Sequence, residues 1–158
     1  MFQNALRAAR LDVAFYNEAE RTPGWTGQAF AVVLIANLMA AVGTWIAFRS
    51  EFLGTLVSAT IGAVVGWLLW SILALFIGRA LGGTADLGEM LRVIGFAQAP
   101  RAIGIIPFLG FIGAIWALIA SVIAIREGLD FSTGKAILTV VFGWLAWVAL
   151  SFIGALFF

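Results

Sequence analysis

Neither cysteine nor histidine occurs among the 158 residues. Disulfides, thiol chemistry and thiolate metal sites are therefore excluded. So are Ser–His and Cys–His nucleophilic sites, H-E-x-x-H zinc sites and His-ligated haem. Charge is scarce as well: 11% of residues are Asp, Glu, Lys or Arg, where a soluble domain carries about 25%. Nine Lys/Arg against eight Asp/Glu leave a net charge of +1, which argues against a nucleic-acid partner, because that needs a basic face.

What fills the chain instead is apolar, 63% of it. A domain of about 150 residues still exposes roughly a third of its unfolded surface, so this much apolar material cannot be hidden from water. The composition predicts an all-α, polytopic helical membrane bundle whose first partner is the lipid bilayer.

The chain divides at Thr22-Pro23-Gly24-Trp25. Before it, residues 1–21 read as one amphipathic helix, with Phe2, Leu6, Ala9, Val13 and Tyr16 forming a helical stripe and Arg7, Arg10 and Asp12 off it. The first 25 residues carry three Arg, two Glu and one Asp without a continuous apolar run, unlike a signal peptide. After the break, residues 22–158 read as a single transmembrane domain. The first span, about 26–48, contains an uncharged run from Gln28 to Phe48, about 31 Å of helix and one hydrocarbon thickness. Trp25 and Trp45 mark its ends as interfacial aromatics. A short turn, Arg49-Ser50-Glu51, leads to the second span, about 52–78, whose Gly62 and Gly66 form a GxxxG helix-packing motif, for packing within the monomer or for dimerisation.

Residues 87–106 are ambiguous. Asp86 and Glu89 form a capping signature, and the middle is apolar, yet Glu89, Arg92, Gln98, Pro100 and Arg101 interrupt it. The segment is either a third span kinked at Pro100 or a re-entrant helix. Pro107 breaks the chain again and opens the fourth span, about 107–125; Arg126 and Asp130 make a surface pair after it. The last span is about 134–157 and ends in Phe157-Phe158.

Lys and Arg weigh the alternatives. With four spans and a re-entrant helix, Arg7, Arg10, Arg21, Arg79, Arg92 and Arg101 face Arg49, Arg126 and Lys135. With five spans, Arg7, Arg10, Arg21, Arg79, Arg92, Arg126 and Lys135 face only Arg49 and Arg101. The second division is the more asymmetric and favours five spans. Both put the amino terminus in the cytoplasm.

Ionisable groups at membrane depth are costly and point to function. They gather at Glu89, Arg92, Gln98 and Arg101, the candidate polar or partner-docking site, where Glu89 and Arg92 are spaced to meet on one helix face. The bland reading of this cluster is a self-paired interfacial helix. Asn37, Ser58, Thr60 and Ser71 are neutral groups expected to bond across helices or to their own backbone. Trp67 and Trp70, like Trp144 and Trp147, are spaced as packing or interfacial anchors. No catalytic, cofactor or metal residues are assigned: Gly82-Gly83 lacks the Lys-Ser/Thr of a phosphate cradle, and Ser132 with Lys135 is weak evidence for a dyad.

Two stretches resemble a known family. One is Gly82-Gly83 with L-R-V-I-G-F-A-Q-A-P at 91–100. The other is I-R-E-G-L-D-F-S-T-G-K-A-I at 125–137, running into Val140-Val141-Phe142-Gly143-Trp144. They resemble the Yip (Ypt/Rab-interacting protein) domain family, bacterial branch. Its pattern is a glycine pair before the third span (Gly82, Gly83), a Gly-aromatic and a Pro within it (Gly95, Phe96, Pro100), and an S-T-G-K-A turn before the last span (Ser132 to Ala136). The resemblance implies a five-span bundle with a cytoplasmic amino terminus. Eukaryotic members bind Rab-type GTPases and one another, and they carry a longer amino-terminal region than the roughly 25 residues here, so the resemblance carries fold further than function.

Three roles follow as expectations. The first is a non-enzymatic inner-membrane protein acting by association, as a scaffold or membrane organiser, with other membrane proteins, lipid or itself as a homo-oligomer. The second is a small-solute or ion transporter or channel using Glu89 to Arg101, in which a cavity joins that segment to Asn37 or Ser71. An enzyme is disfavoured for lack of paired carboxylates in the membrane.

Overall fold

The computed structural model describes the backbone of residues 1–49 and 51–157, and the side chains of these except Trp147 and residues 149–157. The Trp147 anchor, the Ser50 turn position and the Phe157-Phe158 end lie outside the described residues. Among those described there is helix and no strand. The α-helices are α1 (Phe2–Ala9), α2 (Val13–Glu20), α3 (Thr26–Phe48), α4 (Phe52–Ala80), α5 (Leu87–Ala97), α6 (Gly110–Gly128) and α7 (Thr133–Phe157), with 3-10 segments at Pro23–Trp25 and Ala99–Ile105.

The expected single helix over residues 1–21 is two helices. Leu11 takes a left-handed φ of 62°, and Asp12 caps α2 by accepting from the Phe15 amide at 3.1 Å. The expected apolar stripe does not share one environment: Phe2, Leu6 and Val13 are exposed while Tyr16 is fully buried.

Among the described residues, three helices are long and apolar enough to cross a membrane: Pro23–Phe48, Phe52–Ala80 and Gly110–Gly128. The described part of α7 adds a shorter apolar stretch, Thr133–Ala146. Their outward faces carry exposed Phe30, Ile61, Phe76, Phe111, Ile119 and Phe142, a surface that only lipid or another apolar partner solvates well.

Contacts fix two ends of the bundle. At one end α2, the α4–α5 loop and the α6–α7 loop meet. There the Thr84 amide donates to the Leu129 carbonyl at 3.2 Å, and Gly78 leaves room for the Leu129 side chain. At the other end Phe48 meets Phe108, ring centroids 6.3 Å apart. Arg49, left-handed at φ 52°, turns the chain there, and the Glu51 carboxylate caps α4 by accepting from the Leu53 and Gly54 amides.

Residues 87–105 run from the α2 end to the Phe48 end, parallel to α3. Gly95 lies against Ala29 and Gly104 against Gly43, positions about 21 Å apart along α3. The segment starts with the expected capping box, Asp86 and Glu89 each accepting from the other's amide, at 2.8 and 2.7 Å. It leaves α geometry after Ala97 and continues as a 3-10 helix with Pro100 in its first turn, where a missing N–H costs nothing. The change of geometry lengthens it: 3-10 helix rises about 2.0 Å per residue against 1.5 Å, so the two pieces reach about 30 Å.

Pro107 does not open the next helix. Phe108 is left-handed at φ 70°, and α6 starts at Gly110. Arg126 does not pair with Asp130 either. Helix α6 ends at Gly128 and Asp130 has φ 52°, so helical spacing is lost; Arg126 bonds Glu127 at 2.7 Å instead.

Candidate functional site

The expected polar cluster divides in two. Glu89 is held in the capping box at the start of α5. Arg92 is 5% exposed and turns away from it: its Nε donates to the Ala19 carbonyl at 3.0 Å and an Nη to the Glu20 carbonyl. Both carbonyls lie at the end of α2, where helix geometry leaves acceptors underused; Ala19 accepts also from the Thr22 amide at 3.3 Å. Glu89 and Arg92 therefore form no ion pair, and the self-paired helix face is corrected. Arg92 fastens the amino-terminal helices to the bundle.

That attachment is wide. Phe15 lies edge-on to Phe96 at 5.0 Å and stacks on Trp25 at 5.8 Å, so Trp25 packs inside the cap rather than only marking an interface. Tyr16 donates to the Ala8 carbonyl at 3.1 Å, and burial pushes its phenol above the usual range. Asn17 reaches Glu127 at 3.5 Å. The Arg7 guanidinium beside Asp12, at 2.8 Å, holds that carboxyl below its ordinary value. Burial pushes Glu20 up, with its partner Arg21 opposing and Asp130 and Glu89 adding to the rise.

Gln98 and Arg101 go elsewhere. Both line a cavity of about 660 Å³ between α3, α4, the 3-10 segment and α6, with Trp144 of α7 at its wall. Asn37, Ser58 and Ser121 share that lining; Ser71 does not. The expected link from the polar segment to Asn37 is present, and the one to Ser71 is not. Ser71 Oγ is buried without a hydrogen-bond partner among the described residues.

The small polar groups are already committed. Asn37 donates to the Val33 carbonyl at 2.8 Å, Ser58 to Thr55 at 3.1 Å, Thr60 to Leu56 at 2.8 Å, and Ser121 to Ala117 at 2.8 Å. Trp67 Nε1 donates to the Leu91 carbonyl at 2.9 Å, tying α4 to α5. A hydroxyl that has donated its proton can only accept. Among the described residues, the Gln98 and Arg101 side chains have no hydrogen-bond partner in the protein.

Gly62 and Gly66 also line the cavity. No described atom outside their own helix lies within 4 Å of where a Cβ on either would sit. Within the chain no described neighbour approaches either glycine closely, and the missing side chains leave cavity space. Close backbone approach occurs at Gly43, Gly95 and Gly104 instead. Gly95 belongs to the family pattern, but no packing motif marks Gly43 or Gly104, because close approach depends on which helix stands opposite. Among the described residues no group of three or more acidic ligands gathers as a metal ion requires.

Long apolar helices with an apolar outer surface define a helical integral membrane protein. The Yip1 domain matches residues 12–156, and the chain belongs to that family. No curated protein and no solved structure matches it.

Proposed function

We propose that the chain is a non-enzymatic protein of a bacterial inner membrane that acts by association, organising other membrane proteins or lipid around it. The supporting observation is an amino-terminal cap docked on an apolar bundle: α2 is fastened to α5 by Arg92 and by the Phe15–Phe96 contact. Such a cap presents a fixed face to partners, while the exposed apolar helices meet lipid or a second copy.

In this reading α3, α4, the 87–105 segment, α6 and α7 cross the bilayer in turn. The end-to-end run of residues 87–105 supports a crossing rather than a re-entrant loop. The α2 end collects Arg7, Arg10, Arg21, Arg79, Arg92, Arg126 and Lys135 and is cytoplasmic by the positive-inside rule. Single cysteines, which the native chain lacks, test this at Gly24, Thr44, Thr84, Phe108 and Ser132. Labelling from outside is expected at Thr44 and Phe108 alone; outside labelling at Thr84 would end the five-span reading. In-membrane cross-linking is expected to capture a stoichiometric partner or a defined oligomer. An isolated monomer throughout would count against association.

A second reading, a small-solute transporter, is favoured by the cavity itself. Arg101 is the only charged side chain among its described lining residues and repels cations, so the solute would be an anion. Anion flux into proteoliposomes above protein-free vesicles would support it.

A further inference from the structure

Building on the association reading above, we propose that the cavity at Arg101 and Gln98 binds the phosphate of an anionic lipid headgroup. Arg101 carries a positive charge within the bundle, in a cavity that it lines together with Ala40, Ala41 and Thr44 of α3. These residues lie one to two helical turns short of Phe48, about 6–12 Å from that end of the helix. An uncompensated guanidinium at that depth is costly. The acid nearest that end in the chain, Glu51, is engaged in capping α4 and does not line the cavity.

The cavity keeps acceptors on its hydroxyls and amide oxygens, but its charged free donor is Arg101, with the Gln98 amide beside it in sequence. The lining hydroxyls of Ser58 and Ser121 have spent their protons on their own helices. The guanidinium fork of Arg101 and the amide of Gln98 are uncommitted donors three residues apart. A planar fork with a neighbouring amide matches phosphate oxygens, which accept bidentately.

The rim suits an amphiphile. Thr44, Ser58, Ala114 and Leu118 line the cavity and are exposed, so polar and apolar rim residues stand side by side. A phosphate of a lipid near the Phe48 end needs only a short descent, with Arg101 reaching up along its own stem. The volume of about 660 Å³ is within the range of small-molecule sites.

The test uses the full chain, reconstituted with phosphatidylglycerol and phosphatidylcholine, then washed exhaustively in mild detergent. Retained lipid is quantified by mass spectrometry, and thermal stability is read with and without inorganic phosphate. Wild type is expected to keep phosphatidylglycerol selectively. Arg101→Gln should lower retention about tenfold, the change expected for losing one charge-assisted hydrogen bond. Arg101→Lys should fall between, because it keeps charge without the fork. Ala114→Phe should block retention sterically with all charges intact, and Arg10→Gln, outside the cavity, should change nothing. Stabilisation by inorganic phosphate that needs Arg101, without lipid retention, would assign the same chemistry to a free anion. Equal retention in Arg101→Gln, or neither lipid retention nor phosphate stabilisation in wild type, overturns the proposal. Failure of cross-linking to find a protein partner leaves this readout intact, so the two readings fail separately.

Discussion

Gly43 of α3 and Gly104 of the 3-10 segment meet backbone to backbone. A Cβ on Gly43 would fall on the Gly104 carbonyl oxygen, with the Ile105 carbonyl carbon 3.0 Å away. This contact holds the far half of the broken segment against α3. It also lets residues 87–105 traverse the bundle as a thin element.

Gly43→Ala should destabilise the protein by about 1–3 kcal/mol or more, because backbone and not a flexible side chain must give way. Gly27→Ala, on the same helix with nothing within 4 Å, should be neutral or slightly stabilising. Thermal unfolding in detergent compares the two. Equal effects would show that the close approach does not hold the segment.

Arg92→Met removes the guanidinium from the Ala19 and Glu20 carbonyls at a buried junction, leaving Ala19 with the Thr22 amide alone, at 3.3 Å. Loss of hydrogen bonds from a charged donor costs about 1.5–3 kcal/mol each. The amino-terminal helices should then detach before the bundle unfolds. Faster proteolysis around Arg21 with the rest of the chain intact is the expected result; unchanged protection would sink this role.

Burial raises the Glu20 carboxyl above its ordinary value of 4.5. The protonated form is favoured in the docked state, so this contribution is complete below the ordinary value and fades as pH rises through the raised one. Asp12, lowered by Arg7, acts in the opposite sense: its contribution is present above 3.8 and fades as pH falls through the lowered value. Hydrogen exchange in α2 should therefore quicken as pH rises through the Glu20 transition, after correction for intrinsic exchange. Glu20→Gln should flatten that dependence. A wild-type slope unchanged in Glu20→Gln would assign the effect to another group.

Gly62→Ala and Gly66→Ala should each stabilise α4 by about 0.5–1 kcal/mol through helix propensity, since no described neighbour is in the way. A packing motif predicts the reverse. A loss of stability in either variant, measured as for Gly43→Ala, would restore the helix-packing role read from their spacing.

Local signals were legible where neighbours in sequence decide the outcome. The capping box at Asp86 and Glu89, the break at Pro100 and the uncharged runs of α3 and α4 each depend on residues within one or two turns. The single helix over residues 1–21 was misread because the left-handed Leu11 is a backbone state that its side chain does not announce. The Arg126–Asp130 pair failed for the same reason at Asp130. Within the candidate site, residues three apart on one helix chose opposite surroundings: Glu89 stayed with its own cap, and Arg92 crossed to α2.

Composition and pattern by themselves determined that this chain is helical and lipid-solvated, and their motifs placed it in its family. Those properties are sums over residues or follow from runs longer than a hydrocarbon thickness, so they survive ignorance of the packing. The tertiary structure alone decided that Arg92 is structural, that Arg101 and Gln98 face a common cavity with Asn37, and that Gly62 and Gly66 border space. Each of these depends on what stands opposite across the bundle, and helical periodicity assigns a residue to a face without saying what that face meets.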